Sequence, residues 1–98
     1  IAGIMGCKKT SDLVPLCHPI PLSNVKINLV PNTELPGVDI EAHVKTNGPT
    51  GVEMEALTAC SIASLVIYDM CKSLDKKIII DDLKLTFKDG GKSGTFKR

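Results

Sequence analysis

The amino-acid sequence predicts a two-layer α+β fold, with helices on one face of an antiparallel sheet. Three segments, around residues 25–29, 38–45 and 83–88, alternate apolar and polar residues with the period of a half-buried strand. The apolar segment from about Gly51 to Ser73 is typical of a long helix, and Ile1 to about Lys9 fits the end of another. The order α-β-β-α-β, with or without a final strand, predicts a ferredoxin-like sandwich.

Local signals support these elements. The link from Pro31 to Gly37 is rich in turn residues and short enough for a hairpin. Thr50 and Glu53 have the spacing of a capping box, which predicts the start of the long helix. The apolar run from Ile78 to Ile80 fits either a short strand or a segment that packs under a loop.

The long helix is apolar around nearly its whole circumference, which a small two-layer domain cannot bury alone. We therefore predict a homo-oligomer with this helix near an interface. The apolar positions are Val52, Leu57, Ile62, Leu65, Val66, Ile67, Met70 and Leu74.

Composition excludes several classes of function. A net charge of +1 and only three aromatic residues argue against a nucleic-acid partner. The four cysteines form no Cys-x-x-Cys pair, and two lie in the apolar helix, which favours reduced thiols in a cytosol-like compartment. The uncharged stretch from Ala56 to Tyr68 is shorter than the ~20 residues of a bilayer span, so we expect a single soluble domain over residues 1–98.

Four segments could carry chemistry, and each has a plain structural alternative. Ser11 to Ser23 is a loop stiffened by three prolines that presents Cys17 and His18. The histidine could contact phosphate or move a proton, although a hydrogen-bonded structural histidine is the more frequent case, and a zinc site is less probable still. Glu55, beside Met54, could meet a ligand or only interact with the helix dipole. Glu53 is accounted for by the capping box.

Asp69 and Lys72 form an i,i+3 pair, which is functional if its surroundings are buried and otherwise an ordinary surface pair. Glu55 and Asp69 point within about 40° of each other around the helix but lie about 21 Å apart along it. A pocket that uses both would therefore combine two subunits.

The last candidate segment is the turn from Lys88 to Gly94. It lacks the spacing of a Walker A motif because Thr86 stands where glycine is required, and no helix can follow it. It could present N–H groups and lysines to phosphate or be a plain hairpin turn, and composition alone favours the plain turn. His43 lies on the polar face of a predicted strand, which predicts a surface or interface residue.

Four strings, "KKTSDLVPLCHPIPLS", "GPTGVEMEALTA", "IYDMCK" and "KDGGKSG", occur in this order over nearly the whole chain. Together they resemble the cyclic pyranopterin monophosphate synthase family, the molybdenum cofactor biosynthesis C proteins. The resemblance implies a lyase that converts a cyclised dihydro-GTP intermediate to cyclic pyranopterin monophosphate and releases pyrophosphate. It implies a hexamer built as a trimer of dimers, with active sites at the dimer interface, and neither a cofactor nor a bound metal.

The resemblance also assigns roles to residues. Asp69 would be the principal catalytic residue, with Lys72 beside it as a proton donor or charge stabiliser. Lys88 and Lys92 would hold the triphosphate. The other implied substrate contacts are Leu16, Cys17, His18, Met54 and Glu55.

Family members begin well before the position of Ile1, with a further strand, the start of the first helix and a basic loop that contributes a lysine to the pocket. The resemblance thus implies a cytoplasmic enzyme, or a mitochondrial one in a eukaryote, whose pocket this chain only partly supplies. A non-catalytic ferredoxin-like oligomer that binds a small phosphorylated ligand is the alternative.

Overall fold

A computed structural model describes residues 1–98 and shows the predicted α+β class, with antiparallel strands and helices packed on one face of the main sheet. Two short helices precede a hairpin, one long helix follows it, and a small second hairpin ends the chain. The elements are α1 (Ala2–Lys8), α2 (Thr10–Leu13), β1 (Leu22–Asn32), β2 (Gly37–Thr46), α3 (Glu53–Cys71), β3 (Phe87–Lys88) and β4 (Phe96–Lys97).

The main sheet is the β1–β2 hairpin, whose register follows the alternation in the sequence. Ile27 pairs with Ala42 on the half-buried face, which packs against α1 and α3. Lys26 pairs with His43 on the opposite, solvent-facing side. There His43 Nε2 lies 2.6 Å from Glu41 Oε1, and this contact lowers the pKa of the Glu41 carboxyl. His43 is a surface residue of the chain, as the sequence predicts.

The packing of α1 on α3 depends on small residues. A Cβ atom on Gly3 would lie 2.5 Å from Ile27 Cδ1 and 3.0 Å from the Ala59 carbonyl oxygen. A Cβ on Gly6 would lie 2.6 Å from Ile62 Cγ1. Ala59 and Ala63 are the buried positions of α3 that receive this close approach. The core is therefore a thin layer in which the α1 backbone packs directly on side chains of α3 and β1.

We expect Gly3→Ala to lower the free energy of unfolding, although alanine normally favours a helix over glycine by about 1 kcal/mol. The added methyl group must displace the end of the Ile27 side chain and press on the Ala59 carbonyl, and overpacking of this kind costs about 1–3 kcal/mol. Urea unfolding at fixed protein concentration measures the change. Gly48→Ala is the control, because its Cβ would meet only Thr46 Oγ1 at 3.4 Å. A higher urea midpoint for Gly3→Ala would contradict the packing argument.

The predicted capping box is wrong. Val52 is the N-cap residue of α3, and no side chain caps the helix. Glu53 is the first residue of the helix rather than the third, so its carboxylate cannot reach back to the Thr50 N–H as the motif requires. That carboxylate instead faces Lys88.

The predicted strand over residues 83–88 forms only in its last two residues. Phe87 pairs with Lys97, and Lys88 pairs with Phe96, in a sheet separate from the β1–β2 hairpin. Residues 78–86 are irregular, which settles the Ile78–Ile80 run as non-strand. The alternation is present in the sequence, but a strand also requires a neighbour with which to pair, and the rest of this segment has none within the chain.

Much of the apolar surface of α3 lies on the outside. Only 7 of the 98 residues are buried, and Leu65, Val66 and Met70 are exposed. By length and composition alone α3 could cross a membrane, a test that core helices of soluble proteins also pass. Three of its side chains, Glu53, Glu55 and Asp69, are acidic and would be costly in a bilayer.

Candidate functional site

The proline-rich loop between α2 and β1 presents its polar side chains without internal partners. Leu16 and His18 are exposed, and Cys17 is a half-buried free thiol. The Cys17 N–H donates to the Val14 carbonyl at 3.0 Å, which fixes the backbone of the loop. The ring of His18 forms no hydrogen bond within the chain. A structural, hydrogen-bonded histidine, the more frequent case from sequence, does not describe His18.

Glu55 lies at the centre of a small cleft. The residue is only 4% exposed, although it belongs to the first turn of α3. The cleft, about 60 Å³ in volume, is formed where α1, α2, the proline-rich loop and the start of β1 meet α3. Its lining residues are Cys7, Lys8, Thr10, Ser11, Pro19, Ile20, Leu22 and Glu55. The space is too small for a nucleotide, whose pockets measure about 300–1,000 Å³.

The cleft disfavours the charged form of the Glu55 carboxylate. Burial raises the pKa of Glu55, and the nearby charge of Glu53 raises it further. Burial also raises the pKa of Cys7 to about 11, with a contribution from the Glu55 charge. Cys7 is therefore an inert thiol in the wall of the cleft. An interaction with the helix dipole alone does not require Glu55 to be buried, and this favours a functional role.

The glycine-rich turn lies against the start of α3. Lys88 Nζ donates to Ser93 Oγ at 3.3 Å and lies 3.7 Å from Glu53 Oε2. Gly91, with φ +74°, passes beside Gly51, since a Cβ on Gly91 would lie 3.4 Å from the Gly51 nitrogen. Asp89 fixes the turn by accepting hydrogen bonds from the Gly90 N–H and the Thr95 hydroxyl. Lys92 is exposed on this turn.

Asp69 and Lys72 meet at the opposite end of α3. Lys72 Nζ lies 2.8 Å from Asp69 Oδ1, and both side chains are more than half exposed. The hydrogen bond and charge of Asp69 raise the pKa of Lys72. Within one chain this is a surface ion pair, which contributes little to stability. Its prediction as a functional pair depends on burial by a second chain.

Two groups of predicted site residues result. Glu55, Met54 and Lys88 lie near the N-terminal end of α3, and Pro19 in the wall of the Glu55 cleft joins them to the loop that carries His18. Asp69 lies about 21 Å further along the helix than Glu55, at 1.5 Å per residue, and Lys72 follows it at the C-cap. One chain therefore does not bring all the predicted site residues together.

The sequence did not predict the contact between Glu53 and Lys88. The two residues are far apart along the chain, and the capping-box spacing assigned Glu53 a different partner. Two glycine pairs, Gly48 with Gly51 and Gly90 with Gly91, are the only sequence signal of a close approach between these segments.

The fold and these groups define a class of protein: a small α+β domain with ionisable side chains near both ends of its long helix. The particular family follows from comparison, because the MoaC family matches residues 1–91. The chain belongs to the MoaC family. It is similar to proteins named cyclic pyranopterin monophosphate synthase from Dinoroseobacter shibae and Jannaschia sp., at 64% and 59% identity over 99% of this chain.

A similar protein of the same name from Pelotomaculum thermopropionicum is 53% identical over the whole chain. These matches confirm the family resemblance predicted from the four sequence strings. The chain spans 58–61% of the length of these relatives. A complete site in them can thus include residues from outside the matched segment.

Proposed function

We propose that this chain is part of a lyase of molybdenum cofactor biosynthesis. The reaction converts 3′,8-cyclo-7,8-dihydroguanosine triphosphate to cyclic pyranopterin monophosphate and releases pyrophosphate. Membership of the MoaC family supports this function, as do the names of the relatives. The structural observation that carries it is the burial of Glu55 in a cleft whose wall includes Pro19, the residue after His18. A desolvated carboxylate is suited to proton transfer near neutral pH.

The residue types suit the two parts of the reaction. Opening and reclosing a purine-derived ring requires proton transfers, for which Glu55, His18 and Asp69 are candidates. Forming the cyclic phosphate joins a hydroxyl oxygen to the α-phosphorus and breaks the bond to pyrophosphate. Negative charge grows on the departing pyrophosphate, and lysine ammonium groups would stabilise it. Lys72, Lys88 and Lys92 are the lysines assigned to this role.

We propose that two copies of the chain form each active site. Asp69 and Lys72 of one copy would lie beside His18 and Glu55 of another, which removes the 21 Å separation within a single helix. The exposed apolar side chains of α3, including Leu65 and Met70, support such an interface. A hexamer built from three dimers is the proposed assembly, and the bacterial relatives support a cytoplasmic location.

The test is turnover by the whole protein. Purified protein is incubated with the cyclised dihydro-GTP intermediate, and both pyrophosphate and the cyclic phosphate product are quantified. We expect the two products in equal amounts. Binding of the intermediate without release of pyrophosphate would favour the alternative, a non-catalytic oligomer that binds a phosphorylated ligand, for which the solvent-exposed Asp69–Lys72 pair is the supporting observation.

A further inference from the structure

The ion pair between Glu53 and Lys88 has an unusual geometry. The Glu53 side chain is partly exposed, but its Oε2 atom is buried and accepts no hydrogen bond. The nearest cation is Lys88 Nζ, at 3.7 Å, beyond hydrogen-bond distance. Lys88 is itself only 16% exposed and has one hydrogen bond, to Ser93 Oγ. The Glu53 carboxylate thus attracts the Lys88 ammonium group, but none of the three Lys88 N–H donors is used in a hydrogen bond to Glu53.

The surrounding backbone is shaped around this pair. A Cβ on Gly51 would lie 2.5 Å from Glu53 Oε2, 2.7 Å from Lys88 Cε and 3.2 Å from Lys88 Nζ. Any side chain at position 51 would therefore displace either the carboxylate or the lysine. Gly91, on the turn after Lys88, also approaches the Gly51 backbone. The two glycines allow the turn to seat Lys88 against the first residue of α3.

We propose that Glu53 is a positioning residue that holds the Lys88 ammonium group, and with it the Lys88–Gly94 turn, in place for the polyphosphate end of the ligand. The inference rests on the proposed function, in which Lys88 binds the triphosphate. Lys88 has three N–H donors and gives one to Ser93, which leaves two for phosphate oxygens. A carboxylate repels phosphate, so Glu53 acts through Lys88 and does not touch the ligand.

A double-mutant cycle with inorganic pyrophosphate as the probe tests this role. Glu53→Gln, Lys88→Met and the double variant are made in the whole protein, and the Kd for pyrophosphate is measured by calorimetry. We expect Glu53→Gln to weaken binding about tenfold when Lys88 is present. In the Lys88→Met background the same substitution is expected to change the Kd less than twofold. For turnover we expect kcat/KM to fall by a similar factor, because Lys88 would both bind the triphosphate and stabilise the charge on the departing pyrophosphate.

A control variant tests whether the effect is specific to the Glu53 carboxylate. Glu34→Gln removes an exposed carboxylate in the β1–β2 turn and should leave the Kd unchanged. Equal effects of Glu53→Gln in both backgrounds would overturn the inference, as would no effect in either or a wild-type protein that does not bind pyrophosphate. The proposed function is judged separately, by wild-type turnover of the cyclised intermediate. The protein can therefore bind pyrophosphate with the expected coupling and still fail as the proposed lyase.

Discussion

Asp69→Asn is expected to reduce turnover by at least 100-fold while leaving the oligomer intact. General acid–base catalysis contributes about 10²–10⁴-fold, and asparagine cannot exchange a proton in the way a carboxylate does. Asparagine keeps the shape of aspartate and an oxygen that can accept the Lys72 hydrogen bond, so the local geometry is retained. Pyrophosphate release measures turnover, and light scattering measures the size of the assembly.

The control for this substitution is Asp12→Asn. Asp12 forms an i,i+3 pair with Lys9, with both side chains exposed, so it has the residue types and spacing of the Asp69–Lys72 pair in the reverse order. We expect turnover within twofold of wild type for Asp12→Asn. Wild-type turnover in Asp69→Asn would remove Asp69 from the mechanism, and loss of the oligomer would instead assign it to assembly.

The position of Asp69 on α3 also argues against a purely structural role. The C-terminal end of a helix carries partial negative charge, where an acidic side chain is unfavourable and a basic one is favourable. Lys72, the C-cap residue of α3, fits this rule, whereas Asp69 in the last turn does not. The surface ion pair offsets this cost only in part. For helix stability alone, Lys72 without Asp69 would suffice at this end of α3.

The parts of the fold that depend on local patterns were predictable from the sequence. The alternation in residues 25–29 and 38–45 gave both strands of the main hairpin, because one face of each packs under the helices. The apolar segment gave α3 to within two residues at each end. The resemblance to the MoaC family was also predictable, since its motifs are continuous strings.

The parts that depend on distant contacts were not predictable. The pattern in residues 83–88 marks an apolar face, but pairing depends on a neighbouring strand, and only Phe87 and Lys88 find one. The spacing of Thr50 and Glu53 suggested a helix cap. It carries no information about Lys88, which lies in the β3–β4 hairpin far along the chain. The burial of Glu55 likewise depends on Cys7 and Pro19, which come from other segments and line the same cleft. The sequence around Glu55 does not indicate these contacts.

Glu55→Gln is expected to raise the free energy of unfolding at pH 7 by roughly 0.5–2 kcal/mol, the range of single stabilising substitutions. Burial raises the pKa of Glu55 in the folded state, so ionisation opposes folding. The cost is absent below the ordinary glutamate pKa of about 4.3. It develops as the pH rises to the higher folded-state value and is complete above it. The advantage of the glutamine variant should follow this same pH course in urea unfolding.

The same substitution is expected to reduce turnover by at least 100-fold, the lower end of the range for acid–base catalysis. A neutral amide fills the cleft beside Cys7 and Pro19 but takes no proton, so the variant should be more stable and less active together. Glu34→Gln, at an exposed carboxylate, should change neither quantity. A variant that gains stability but keeps full turnover would show that Glu55 is a buried charge without a catalytic function. A variant that loses stability at pH 7 would contradict the desolvation argument itself.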